Sequence, residues 1–62
     1  MIITDKRLEK DITQRELAEM VGITQGWLSS IESGTRKPSV QVAKKIGMVL
    51  DFDWTKLFDD EQ

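Results

Sequence analysis

A chain of 62 residues makes one domain with a modest core, since a chain this short buries only about 60% of the surface it exposes when unfolded. It has no cysteine and no histidine, which excludes disulfides, thiolate or imidazole metal sites and histidine-based acid–base chemistry, so neither a metal nor a cofactor is expected. The net charge is −2 and the pI about 4.9, yet residues 1–50 carry eight basic side chains against six acidic ones, while residues 51–62 carry five acids against Lys56 alone.

The chain starts on the apolar Met1-Ile2-Ile3. Thr4 or Asp5 can cap a first helix running to about Lys10, with Asp5 at its positive end and Ile3 and Leu8 as its core contacts. Asp11-Ile12 is a connection. Thr13 and Glu16 form an S/T-x-x-E capping box, and Ile12 and Leu17 stand at the positions of a hydrophobic staple. The second helix, Gln14 to Val21, gathers Leu17, Ala18, Met20 and Val21 on one side and Arg15, Glu16 and Glu19 on the other. Gln14 stands among the free N–H groups of the helix start, a natural phosphate site.

Gly22-Ile23-Thr24 is a tight turn, with Gly22 free to take the positive φ that ends a helix and Thr24 as the next N-cap. A third helix follows, roughly Gln25 to Ser33, and Gly34 stops it. Two short helices joined this closely form a helix-turn-helix, whose second helix lies in the DNA major groove. At 100° per residue from Gln25, Trp27, Ile31 and Leu28 fall at about 200°, 240° and 300° and form one apolar face. Gln25, Ser29, Ser33, Gly26 and Ser30 occupy about 0° to 140°. This outward face is small, polar and uncharged, where a plain solvated face would carry Lys and Glu, the better helix formers. It suits close approach: glutamine offers a bidentate amide to adenine, and serine serves several base edges.

Thr35-Arg36-Lys37-Pro38 follows Gly34. Arg36 and Lys37 are either a solvated loop pair or phosphate contacts, and their place beside the outward face favours the second. Ser39 caps a fourth helix, Val40 to Leu50, whose apolar arc is about half its circumference, broader than the usual stripe. One edge of that arc is open to burial by another chain, and Met48 falls among the polar positions. Gly47 is costly in mid-helix unless another helix comes close. Asp53 caps a last turn or two, Trp54 to Phe58, with Trp54, Leu57 and Phe58 on one face. Those three either close the monomer core or form a dimer contact. Residues 59–62 read as a frayed acidic tail beyond a domain of residues 1–58.

With these residues laid out, the chain resembles the lambda-repressor-like (Cro/CI, or XRE) helix-turn-helix family. The resemblance runs from about Ile3 to Phe58 and is carried by TQRELA, VGIT, the WLSSIE run, GTRKPS and the closing DFDWTKLF. It implies an all-α, compact five-helix domain that binds double-stranded operator DNA as a two-fold homodimer. By that resemblance Gln25, Gly26, Ser29 and Ser30 face bases, while Gln14, Thr24, Ser33, Thr35, Arg36 and Lys37 hold the DNA backbone. Members often pair an arginine of the first helix with a glutamate of the third, here Arg7 and Glu32, a structural pair. Two positions depart from the pattern: Gly26 stands where a polar base-reading side chain is common, and Ser30 is short where Arg, Lys or Gln is common.

The leading expectation is a sequence-specific DNA-binding transcriptional regulator, a repressor by default, with half-sites about 34 Å apart. The alternative is a regulator of antitoxin or antirepressor type that uses the fold to bind a protein partner. The net acidity, Gly26 and the wide apolar arc of the fourth helix favour it. An enzyme is not expected: without His, Cys or Tyr only carboxylates and lysines remain, scattered over helix surfaces. No apolar run is long enough to span a membrane, and the lack of cysteine fits the cytoplasm.

Overall fold

A computed structural model of the chain describes residues 2–58. It contains four α-helices, α1 (Ile2–Glu9), α2 (Gln14–Val21), α3 (Gln25–Ser33) and α4 (Val40–Leu50), then a 3₁₀ helix, Trp54–Phe58. No strand occurs among the described residues. The all-helical architecture agrees with the sequence reading, but the count of five α-helices does not. The closing element is a single tight stretch whose backbone closes at i→i+3, as in Lys56 N–H to the Asp53 carbonyl at 3.1 Å. An element this short commonly takes the tighter 3₁₀ form. The acidic tail at residues 59–62 lies outside the described residues.

Caps set the boundaries. The Thr13 hydroxyl accepts from Glu16 N–H at 3.0 Å, and the Glu16 carboxylate accepts from Thr13 N–H at 2.8 Å, completing the capping box. Thr24 and Ser39 cap α3 and α4 through Trp27 N–H at 3.0 Å and Val42 N–H at 3.2 Å. Gly22 and Gly34 end α2 and α3 at φ 87° and 84°. Aspartates do the same work after α1 and α4: Asp11 and Asp51 sit at φ 57° and 59°, a conformation Asp tolerates better than most side chains.

The core is formed by Ile3, Leu17, Ala18, Val21, Leu28, Ile31, Ala43, Ile46, Leu50 and Leu57, with Trp27, Trp54 and Phe58 packed around it. α4 lies against α1, α2 and the 3₁₀ helix, and α2 packs on α3. Several sequence expectations change here. α1 starts before Thr4, so Thr4 and Asp5 are helix-interior residues rather than caps. Leu8 is 62% exposed, because five residues of helix carry it about 140° round from Ile3. Met20 and Val40, counted on apolar faces, are also exposed. Met20 stands at the edge of its stripe, lining an open groove with Asp11, Ile12, Glu16 and Glu19. Val40 is the first residue of its helix, where little packs over it. Gly47 is approached closely by the chain itself: a Cβ there would lie 2.8 Å from both the Phe52 carbonyl oxygen and Trp54 Cβ. No described helix is long and apolar enough to cross a membrane.

Candidate nucleic-acid interface

α2 and α3 begin side by side. Gln14 and Gln25, the first residue of each, meet through their amides, with Gln25 Nε2 donating to Gln14 Oε1 at 3.4 Å. Around this pair the first-turn N–H groups of both helices are only partly used by the Thr13 and Thr24 caps. The two helix starts therefore present positive dipole ends and two adaptable amides to the same region.

The inward face of α3 is fixed by Leu28 and Ile31, both fully buried. Its back is held by an ionic cluster. Arg7 Nε donates to Glu32 Oε2 at 3.1 Å and Nη2 to Oε1 at 3.2 Å, Thr4 Oγ1 donates to Glu32 Oε1 at 2.8 Å, and Arg7 Nη1 donates to the Ile12 carbonyl at 3.0 Å. One carboxylate on α3 thus binds two groups of α1, and the arginine also reaches the chain just before α2. The sequence reading does not place Thr4 in this cluster. The available signal was its spacing, one turn before Arg7 on the same helix face.

Gln25, Gly26, Ser29 and Ser33 are exposed, and Ser30 is half-buried. At Gly26 neither a positive φ nor crowding requires glycine, since an added Cβ would meet nothing within 4 Å. The far end of the helix is closed on itself. The Ser30 carbonyl accepts from Thr35 N–H at 2.9 Å, Arg36 N–H at 3.2 Å and the Ser33 hydroxyl at 3.0 Å. The Ser33 and Thr35 hydroxyls lie 2.6 Å apart. With the Ser33 proton on Ser30, Thr35 is the donor of that pair. Both hydroxyl protons are engaged inside the protein, so either must turn before it can donate to a phosphate.

Thr24, Arg36 and Lys37 are exposed. The Arg36 guanidinium lies over the Trp27 ring, 5.7 Å from its centroid, a contact no sequence period indicates. Trp54, Leu57 and Phe58 belong to the 3₁₀ helix, which packs on α4. Leu57 is buried, Trp54 and Phe58 are half-buried and meet edge to face at 6.1 Å between centroids, and Lys44 lies over the Trp54 ring at 5.5 Å.

This arrangement has counterparts among known proteins. The helix-turn-helix family model matches residues 3–57. The chain belongs to the helix-turn-helix family. An uncharacterized HTH-type transcriptional regulator of Bacillus subtilis (strain 168), YqaF, is 56% identical over 54 residues, covering 87% of this chain and 71% of YqaF. The solved N-terminal DNA binding domain of SinR from Bacillus subtilis matches with a TM-score of 0.81 at 38% identity, over 97% of this chain and 88% of that one. A solved SinR/SinI protein complex also matches at TM-score 0.81 and 39% identity, over 94% of this chain and 57% of that one. Against whole SinR, an HTH-type transcriptional regulator, the chain spans 54% of the length. The all-helical architecture, the helix-turn-helix and the regulator family agree with the resemblance drawn from the sequence.

Proposed function

We propose that this helix-turn-helix domain is a sequence-specific, double-stranded DNA-binding transcriptional regulator, acting as a repressor, that places α3 in the major groove of an operator. The outward face of α3 carries the reading: Gln25, Ser29 and Ser33 are exposed beside the paired starts of α2 and α3, a short, polar, uncharged surface that suits close approach to base edges. Gly26 gives up one base-reading side chain, but an added Cβ there would meet nothing in the protein, and its lack of one keeps that surface low at the first turn.

In this reading Gln25, Ser29 and Ser30 read base edges, Ser30 through water, and Gly26 lets the helix sit deep. Gln14, braced by Gln25, and Thr24 meet one stretch of phosphates at the helix starts. Arg36 and Lys37 meet another, with Ser33 and Thr35 turning their hydroxyls to join them. The domain is 29 Å in its longest dimension, so two copies fit side by side with their α3 helices one DNA turn, about 34 Å, apart. Trp54 and Phe58 supply the apolar surface for such a homodimer.

Selection from random duplexes, with binding measured across a salt series, tests this. A two-fold motif is expected, with log affinity falling by about 0.9 per phosphate contact for each decade of salt. Weak, sequence-blind binding rejects it. One observation favours a second reading: a relative of this fold is solved as a SinR/SinI protein complex. That reading makes a protein partner the main ligand, and charge neutralisation at Arg36 and Lys37 then leaves function intact.

A further inference from the structure

We propose that Trp27 is a positioning residue for DNA binding: its indole face holds the Arg36 guanidinium ready to take a backbone phosphate beside the first turn of α3. The inference rests on the operator-binding reading above and adds to it a residue whose part is played through another.

Two features of Trp27 lead here. Its Nε1 is buried and has no hydrogen-bond partner among the described residues. Burying a donor unpaired is unfavourable, and leucine or phenylalanine would fill an apolar position without it. The polar edge of the indole is therefore not what the site uses. Its face is used: Arg36 lies 5.7 Å from the ring centroid, and tryptophan is the strongest cation–π platform among the side chains.

The geometry of the loop makes the contact purposeful. Thr35 and Arg36 are both fastened by their N–H groups to the Ser30 carbonyl, so the Arg36 backbone is anchored at the last turn of α3. Trp27 stands one helical turn before Ser30. The Arg36 side chain, exposed along its length, consequently runs back along α3 toward Trp27 in its first turn. The ring holds the guanidinium by its charge, through the π face, and takes no conventional hydrogen bond from it, so the N–H donors stay available to grip a phosphate bidentately. Ring and phosphate do not compete for the same donors. An arginine already ordered on the ring also loses less rotamer freedom when it binds.

The test measures affinity for a labelled operator duplex, recovered by selection, with wild type, Trp27→Leu, Trp27→Phe, Arg36→Ala and the double variant Trp27→Leu/Arg36→Ala, each checked for folding by circular dichroism. Trp27→Leu is expected to weaken binding about two- to fivefold, the worth of an exposed cation–π contact. Trp27→Phe should recover part of the loss, and the leucine loss should vanish once Arg36 is absent. If Trp27→Leu does not fold, the smaller loss in Trp27→Phe, again abolished without Arg36, carries the same meaning. A leucine or phenylalanine loss that persists undiminished in the Arg36→Ala background overturns the proposal. So does wild-type binding by Trp27→Leu when Arg36→Ala is impaired.

A DNA-free measurement separates this from the operator reading. In a Trp54→Phe background, Arg36→Ala should change the Trp27 fluorescence; no change means the stack is not formed in solution. If the fluorescence responds but Arg36→Ala leaves affinity and salt slope untouched, the stack exists, the phosphate reading of Arg36 fails, and the positioning role falls with it.

Discussion

Arg7 and Glu32, 25 residues apart, are joined by two nitrogen–oxygen contacts of 3.1 and 3.2 Å, with side chains only 12% and 7% exposed. The pair ties α1 to the back of α3, so it fixes where α3 sits within the fold. Removing one partner of a buried pair costs about 3–5 kcal/mol, because the other charge is left stranded. A chain this size has about 3–9 kcal/mol of stability to lose. Glu32→Ala should therefore lower stability by about 3 kcal/mol in urea denaturation. Arg7→Met/Glu32→Leu, which removes both charges and keeps the volume, should lose much less. A Glu32→Ala protein within about 0.5 kcal/mol of wild type, inside the range of plain surface substitutions, would refute this account.

The helix boundaries were legible in the sequence because caps are local. Thr13 with Glu16, Thr24, Ser39, Gly22 and Gly34 each act within a few residues of where they stand. Depth was less legible. A helical wheel gives the direction of Leu8, Met20 and Val40, but whether anything covers them depends on elements elsewhere in the chain. At the candidate interface the same division holds. The outward order of Gln25, Gly26, Ser29 and Ser30 follows from the period of one helix. The Arg36–Trp27 stack, the Thr4–Glu32 bond and the mutual engagement of Ser33 and Thr35 depend on how a loop or a second helix folds back, which no period encodes.

Gly47 makes the cost of a close approach measurable. In an open helix Gly→Ala stabilises by about 1 kcal/mol. Here the added methyl would lie 2.8 Å from the Phe52 carbonyl oxygen and from Trp54 Cβ, and 3.1 Å from Trp54 N. Two of these are backbone atoms, which cannot swing away, and overpacking of this kind costs about 1–3 kcal/mol. Gly47→Ala should thus lower the melting temperature by displacing the 3₁₀ helix from α4. A raised melting temperature would mean that the turn after α4 yields easily.

Asp53 gives the closing element a pH dependence. Its carboxylate accepts from the Thr55 hydroxyl at 2.7 Å and the Thr55 N–H at 3.0 Å. The hydroxyl bond first, then the backbone bond, then the Lys56 charge, hold its pKa below the ordinary 3.8. A carboxylate whose pKa is lower folded than unfolded adds stability above the unfolded value and loses it as the pH falls through the folded one. The cap's share should be present at neutral pH and fade below about pH 4. Thermal melts of wild type and Asp53→Asn should differ in their acid limbs, the asparagine variant being flatter. Parallel curves from neutral to acid pH would show that the ionised form has no advantage here.

Gly26 predicts a split between stability and binding. In the free domain an alanine methyl meets nothing within 4 Å, and the helix gains from the better helix former, by less than the roughly 1 kcal/mol of an interior position. Gly26→Ala should accordingly raise the denaturation midpoint. Under the proposed operator reading, the same methyl at the first turn of α3 would hold the helix away from the base edges. Operator affinity should fall even as the protein becomes more stable. The loss should be larger on the selected operator than on a scrambled duplex, because the phosphate contacts proposed for Arg36 and Lys37 are sequence-independent while base contacts are not. Measuring both quantities on one variant separates the two causes that a glycine can have. A rise in stability with unchanged operator affinity would show that α3 does not need glycine to seat in the groove. A fall in stability would show that the helix start is more crowded than its geometry indicates.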